Sequence, residues 1–108
     1  MSGSGSGGGG RTTDKVDCST LVLKTHLNSP KAAVLKTLKK GSKLTVQLES
    51  HGGKTIVVAK ASQGQAAGSI TGAGLASLII CLQNGFSFHA VVISLAGGGC
   101  EVSVQPGA

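Results

Sequence analysis

The stretch KLTVQLESHGGKTIVVAK, residues 43–60, carries the clearest structural pattern in the chain. Apolar Leu44, Val46 and Leu48 alternate with polar residues, as they do in a strand that buries one face. A Gly-Gly pair follows at 52–53, and a β-branched run begins directly after Lys54. Because paired glycines between two such runs are typical of a tight β-hairpin, we predict two antiparallel strands here.

Four further strands are predicted around this hairpin, at residues 18–27, 65–70, 86–94 and 100–105. Their apolar residues alternate with polar ones, and Gly-containing turns separate them. Turns of hairpin length within the groups of consecutive strands indicate a mainly antiparallel sheet.

Two helices interrupt the strands. The first is predicted from Pro30 to Lys40, with Ser29 as its N-cap and Gly41 as its left-handed end. On this helix Lys36, Lys39 and Lys40 would share a side away from the apolar stripe. The second helix is predicted over 73–84 because apolar residues recur there at i, i+3, i+4 and i+7, namely Leu75, Leu78, Ile79 and Leu82.

The element order β-α-β-β-β-α-β-β predicts an α+β fold, a small six-stranded, mainly antiparallel and partly open OB-like β-barrel with two helices. The second helix would close one end of it.

The first ten residues, MSGSGSGGGG, are predicted to be a flexible linker of artificial origin, with a lead-in to residue 16. A single globular domain is predicted over 17–108. Its core would contain Leu44, Val46, Leu48, Val58, Leu75, Leu78, Ile79, Leu82, Phe88, Val92, Val102 and Val104.

Charge is distributed unevenly along the chain, whose formal net charge is +6. All ten Lys and Arg residues lie between Arg11 and Lys60, whereas Glu101 is the only charged residue after Lys60. The basic half offers a candidate surface for phosphate groups. Its predicted nucleic-acid or anion-binding residues are Lys31, Lys36, Lys39, Lys40, Lys43, Lys54 and Lys60. The alternative interpretation is that these lysines only keep the surface soluble.

The three cysteines, Cys18, Cys81 and Cys100, contain no C-x-x-C pair. We predict three reduced, buried thiols in a cytoplasmic protein, and neither a disulfide nor a zinc site. The longest apolar run, at 78–82, is too short to cross a membrane, so no membrane association is expected.

The sequence SITGAGLAS, residues 69–77, is similar to the start of a dinucleotide-binding loop. An acidic residue about 20 positions further on, at the end of a second parallel strand, is missing, so we interpret Gly72 and Gly74 as a turn into a helix. A weak anion site at Ser69, Thr71, Gly72 and Gly74 stays open.

From Gly41 to Val104 the succession of pieces resembles the HIRAN family, small OB-like barrels found attached to helicases and nucleases or standing alone in bacteria. The resemblance depends on the strand at 41–48, the Ile-Val-Val run at 56–58, the QAAGSI strand at 65–70, the helix at 75–82 and Phe88 to Val92. It implies a barrel and, less directly, binding of DNA. The stretch His51 to Thr55 and the scarcity of aromatic residues depart from the family pattern.

The chemistry available favours a binding module over an enzyme. The three histidines and four acidic residues are scattered, so no catalytic residue, metal site or cofactor is predicted. Our first hypothesis is a non-catalytic adaptor that assembles with a protein partner, or with itself, through the charge-free half at 61–108. The alternative is HIRAN-like binding of DNA or RNA through the lysine-rich face at 31–60.

Overall fold

A computed structural model describes residues 17–107, so the predicted linker and lead-in lie outside the described residues. Within this range the strands are β1 (Leu23–His26), β2 (Lys43–His51), β3 (Lys54–Lys60), β4 (Ala66–Ile70), β5 (Phe88–Ser94) and β6 (Glu101–Pro106). The helices are α1 (Ala32–Leu35) and α2 (Leu75–Gln83), and a short 3-10 turn, Ala96–Gly98, precedes β6.

All strands belong to one antiparallel sheet with the order β1-β6-β5-β2-β3-β4. Its two edges meet where Asn28, just after β1, bridges to Ser69 of β4. The Asn28 N–H donates to the Ser69 carbonyl at 2.8 Å, and the Ser69 N–H donates back at 2.9 Å. The sheet therefore curls into a partly closed barrel, which confirms the predicted fold class.

The predicted hairpin is confirmed at its turn as well as in its strands. β2 and β3 pair from Thr45–Lys60 to His51–Lys54. Between them Gly52 and Gly53 have φ values of 58° and 81°. Two consecutive positive φ values define the type I′ turn, whose twist matches that of the flanking strands.

The barrel interior is filled by one face of the sheet and by α2, which inserts Leu78 and Cys81 completely. Of the predicted core residues, Leu48, Leu75, Ile79 and Leu82 are only partly buried against this core. Val58 is buried, but its neighbours Val57 and Ala59 belong to the interior cluster instead. Because side chains alternate along a strand, Val58 lies on the outer face of the sheet.

The first helix is much shorter than predicted. It covers Ala32–Leu35 only, and Ser29 does not cap it but has a φ of 51°. Backbone hydrogen bonds to β4 keep residues 28–31 out of the helix, since the Asn28 N–H donates to Ser69 and the Lys31 N–H donates to the Ala67 carbonyl at 2.9 Å. At the other end Gly41 donates to the Val92 carbonyl of β5 at 2.8 Å. Tertiary hydrogen bonds thus override helix propensity.

Because α1 ends at Leu35, the prediction that Lys36, Lys39 and Lys40 share one side of a helix is wrong. The first strand also differs from its prediction, since it begins at Leu23 and a turn occupies Cys18 to Thr20.

The prediction of three reduced cysteines is wrong as well. Cys18 forms a disulfide with Cys81 of α2, and Cys100 is the free, buried thiol. The turn before β1 lies against α2, which brings together two residues separated by 63 positions. Burial raises the pKa of Cys100 and so disfavours its reactive thiolate.

The two glycines of the SITGAGLAS stretch form a turn, as predicted. Gly72 and Gly74 have φ values of 95° and 87°, and Gly74 immediately precedes α2. A β-carbon on Gly74 would collide with the Leu23 side chain.

We expect the substitution Gly68→Ala to destabilise the fold by about 1–3 kcal/mol, because it overpacks the junction between the two sheet edges. A β-carbon there would lie 2.9 Å from the Leu27 β-carbon and 3.0 Å from the Asn28 carbonyl oxygen. The free energy of unfolding in urea measures the effect. Gly99→Ala is the matched control, since its nearest contact would be an ordinary 3.8 Å. Equal stability of the two variants would contradict this packing.

Candidate functional site

The sheet opens between β2 and β5. These strands pair only from Lys43–Val91 to Thr45–His89, although β2 continues to His51. At the start of β5, Phe88 pairs with Pro106 of β6 and not with β2. Within the described residues, the β2 edge that faces β5 therefore has no strand neighbour beyond Thr45. Such an edge presents backbone groups that can pair with another chain.

A cavity of about 400 Å³ lies at this opening, and we call it the β2–β5 groove. One wall is formed by residues 43–47 of β2, and the other by residues 86–89 together with Leu82 of α2. Leu82, Phe86 and Phe88 supply apolar surface, whereas Lys43 and His89 supply polar groups at its border. The groove thus combines apolar side chains with several polar ones, and a mixture of both kinds is found in ligand sites.

Phe86 lines this groove and was not among the binding residues predicted from the sequence. Its side chain is 47% exposed, while Phe88 is buried. The C-terminal turn of α2 fixes its position, since the Phe86 N–H donates to the Cys81 carbonyl at 3.1 Å. Gly85 before it has a φ of 89°, which glycine adopts readily and which turns the chain away from the helix. The one sequence feature that could have indicated an exposed Phe86 is the Gly85-Phe86 pair directly after the predicted apolar helix.

His89 is oriented by Gly107, the residue that follows β6. Its Nδ1 lies 3.0 Å from the Gly107 carbonyl oxygen, which can only accept a hydrogen bond. The proton of a neutral His89 is therefore on Nδ1, and Nε2 is left as an acceptor.

The predicted lysine set is spread over several elements. Lys43 lies at the groove, and Lys54 begins β3 at the hairpin. Lys60 pairs with Glu49 at 2.6 Å on the outer face of the sheet. The hydrogen bond from Lys60, followed by that from His51, lowers the pKa of Glu49. The remaining members lie before, at the end of and after α1, namely Lys31, Lys36, Lys39 and Lys40.

The residues of the predicted weak anion site are near one another in sequence but belong to different structural elements. Ser69 belongs to β4, and its hydroxyl lies 3.4 Å from the Asn28 carbonyl oxygen. The Thr71 carbonyl accepts a hydrogen bond from the Thr25 hydroxyl at 3.3 Å. Gly72 and Gly74 form the turn into α2, and no side chain caps that helix.

The charge-free half of the sequence does not form a separate half of the molecule. β5 and β6 lie between β1 and β2 of the basic half, whereas β4 is at the edge next to β3. One wall of the β2–β5 groove comes from each half. The exposed large apolar residues that the structure describes in this half are Ile80 of α2 and Phe86 after it.

Fold and site together define a small α+β barrel domain with a groove at an open strand edge. Among the described residues, no cluster of His, Cys, Asp and Glu is arranged to hold a metal ion. None of the helices in this range is long and apolar enough to span a membrane. Comparisons with family models, curated proteins and solved structures find no match for this chain.

Proposed function

We propose that this domain is a non-catalytic binding module that takes up an extended segment of a protein partner in the β2–β5 groove. The observation that carries this proposal is the open β2 edge beyond Thr45, whose first residues, Val46 and Gln47, line the β2–β5 groove. An extended peptide satisfies the backbone groups of such an edge by adding a strand to the sheet.

The groove also indicates which side chains the partner segment would carry. Along an added strand, every second side chain points inward. The inward positions would contact Leu82, Phe86 and Phe88, which favours apolar residues there. The outward positions would lie near Lys43 and His89, and the chain has a net charge of +6. An alternation of apolar and acidic residues therefore suits this site best.

A second candidate function is binding of single-stranded nucleic acid in the same groove. The observation that favours it is the exposed Phe86, which supplies an aromatic face in a groove that Lys43 also lines. Bases stack on such faces while lysines contact phosphates. The HIRAN-like order of elements agrees with this candidate, and the other lysines of the basic half would add phosphate contacts.

The disulfide bears on where the module works. The prediction of a cytoplasmic protein went together with three reduced cysteines, whereas Cys18 and Cys81 are bonded to each other. Because disulfides persist mainly in oxidising environments, we place the domain in such a compartment. A peptide ligand fits that location better than an intracellular nucleic acid does.

A peptide selection followed by affinity measurements tests the proposed function. Displayed eight-residue peptides would be selected on the immobilised oxidised domain, and the winners measured by calorimetry. We expect alternating apolar and acidic residues, and about a tenfold loss of affinity in Phe86→Ala, equivalent to 1.4 kcal/mol.

The control variant is Ile80→Ala, because Ile80 is exposed to a similar extent, 45% against 47%, but does not line the groove. It should bind like the parent. Salt-dependent binding of oligothymidine without any peptide binding would select the second candidate. Absence of both kinds of binding would reject the groove as a site.

A further inference from the structure

A second cavity, of about 330 Å³, lies on the outer face of the sheet, where the segment after β1 meets β4. It is bordered by the segment Asn28–Lys31 on one side and by Glu49 and His51 of β2 on the other. Its floor is formed by β3 and β4. We call it the outer-face cavity, and it shares no lining residue with the β2–β5 groove.

The floor of the outer-face cavity is apolar although it belongs to the outer surface of the barrel. Ile56, Val58 and Ala66 line it, and Val58 is only 5% exposed. Val58 is opposite Gln47 and Ser69 in the two strand pairs, so these residues share the outer face with it. Branched apolar side chains in a depression there provide a flat surface for an apolar ligand body.

The border of the cavity carries several polar side chains that can donate hydrogen bonds to a ligand. Among the described residues, no side-chain hydrogen bond or ion pair involves the Asn28 amide, the Ser29 hydroxyl or the Lys31 ammonium group. Ser69 contributes a hydroxyl whose contact with the Asn28 carbonyl oxygen is long, at 3.4 Å. These groups converge on the same cavity.

The one acidic group of the cavity is already compensated. The Glu49 carboxylate lies 2.6 Å from the Lys60 ammonium group and 2.9 Å from the His51 Nε2. Among the residues that the structure describes, Lys31 therefore carries the charge at this border that has no ion-pair partner. A ligand that complements the cavity is an anion, since the Lys31 ammonium group can only donate and the Asn28 amide and Ser29 hydroxyl can also donate.

Backbone conformation at the border provides an independent indication. Ser29 is the one non-glycine residue with a positive φ, 51°, among the described residues. A non-glycine residue in this region is strained, and such residues cluster at ligand-binding sites. Here the left-handed conformation lies between Asn28 and Lys31, both of which line the cavity.

We propose that the outer-face cavity binds a small amphipathic anion, a carboxylate attached to a flat apolar body of one or two rings. The carboxylate contacts Lys31 and Asn28, and the rings lie on Ile56 and Ala66, the two partly exposed apolar residues of the floor. A volume of about 330 Å³ is within the range of small-ligand sites. This proposal is independent of the function of the β2–β5 groove.

Titration with 2-naphthoate, followed by the amide signals of the ¹⁵N-labelled oxidised domain, tests the proposal. We expect saturable shifts of the Val58 and Ser69 amide signals. Acetate should bind about tenfold more weakly than 2-naphthoate because it lacks the apolar body. The neutral 2-naphthamide should also bind about tenfold more weakly because it lacks the charge that strengthens the hydrogen bonds. Lys31→Gln should weaken 2-naphthoate binding by about tenfold. Lys54→Gln, which changes an exposed lysine outside the cavity, should not.

Three results would overturn the proposal. One is the absence of saturable shifts at Val58 and Ser69 up to the solubility limit of 2-naphthoate. Another is equal affinity for 2-naphthoate and 2-naphthamide, which does not depend on any variant being folded. The third is a set of shifts confined to Phe86 and Ser87, which would place the ligand in the β2–β5 groove.

Discussion

Reduction of the Cys18–Cys81 disulfide is expected to lower the free energy of unfolding by about 4 kcal/mol. The bond closes a loop between residues separated by 63 positions, and a cross-link over such a loop removes much of the conformational entropy of the unfolded chain. For a domain of this size that loss is a large part of the total stability.

Urea unfolding of the domain with and without a reducing agent measures this effect. The variant Cys18→Ser should resemble the reduced parent and should not respond further to the reducing agent. An unchanged unfolding midpoint after complete reduction would contradict the stabilising role of the bond. In the oxidised native protein, we also expect one titratable thiol, Cys100, which reacts slowly because it is buried.

The substitution Leu78→Ala is expected to destabilise the domain by about 2–5 kcal/mol. Leu78 has no exposed surface, and it projects from α2 into the barrel interior. Shortening it leaves a cavity that the sheet cannot fill without moving, which adds to the lost burial of the methyl groups.

Ile80→Ala is the control for this prediction because Ile80 belongs to the same helix and is 45% exposed. Both variants exchange a branched side chain for alanine, so their intrinsic helix propensities change similarly. We expect the control to stay within about 0.5 kcal/mol of the parent, as is usual for surface positions. If thermal melting temperatures of the two variants coincide, α2 does not anchor the core.

Features encoded by neighbouring residues could be predicted from the sequence. The alternation at 43–50 and the Gly52-Gly53 pair define a hairpin without reference to the rest of the chain. The apolar spacing of 75–82 similarly defines α2. In each case local preference and tertiary packing favour the same conformation.

Features that depend on distant residues could not be predicted. The segment after Pro30 has good helix formers, but hydrogen bonds to Ala67 and Val92 shorten the helix to Ala32–Leu35. The disulfide joins cysteines that no spacing motif connects. The β2–β5 groove arises because β5 leaves β2 after Thr45, and this register is a property of the whole barrel.

The position of β6 between β1 and β5 has a consequence for the order in which the domain can fold. Leu23 of the first strand pairs with Val104 of the last one, so the contact order is high. During synthesis β1 has no partner at its β6 side until the last strand is made, whereas β2, β3 and β4 can pair as soon as they are made. Folding should therefore be rate-limited by the docking of β6, on the order of milliseconds to seconds. Until then the exposed inner faces of β1 and β5 are the part of the chain most open to aggregation.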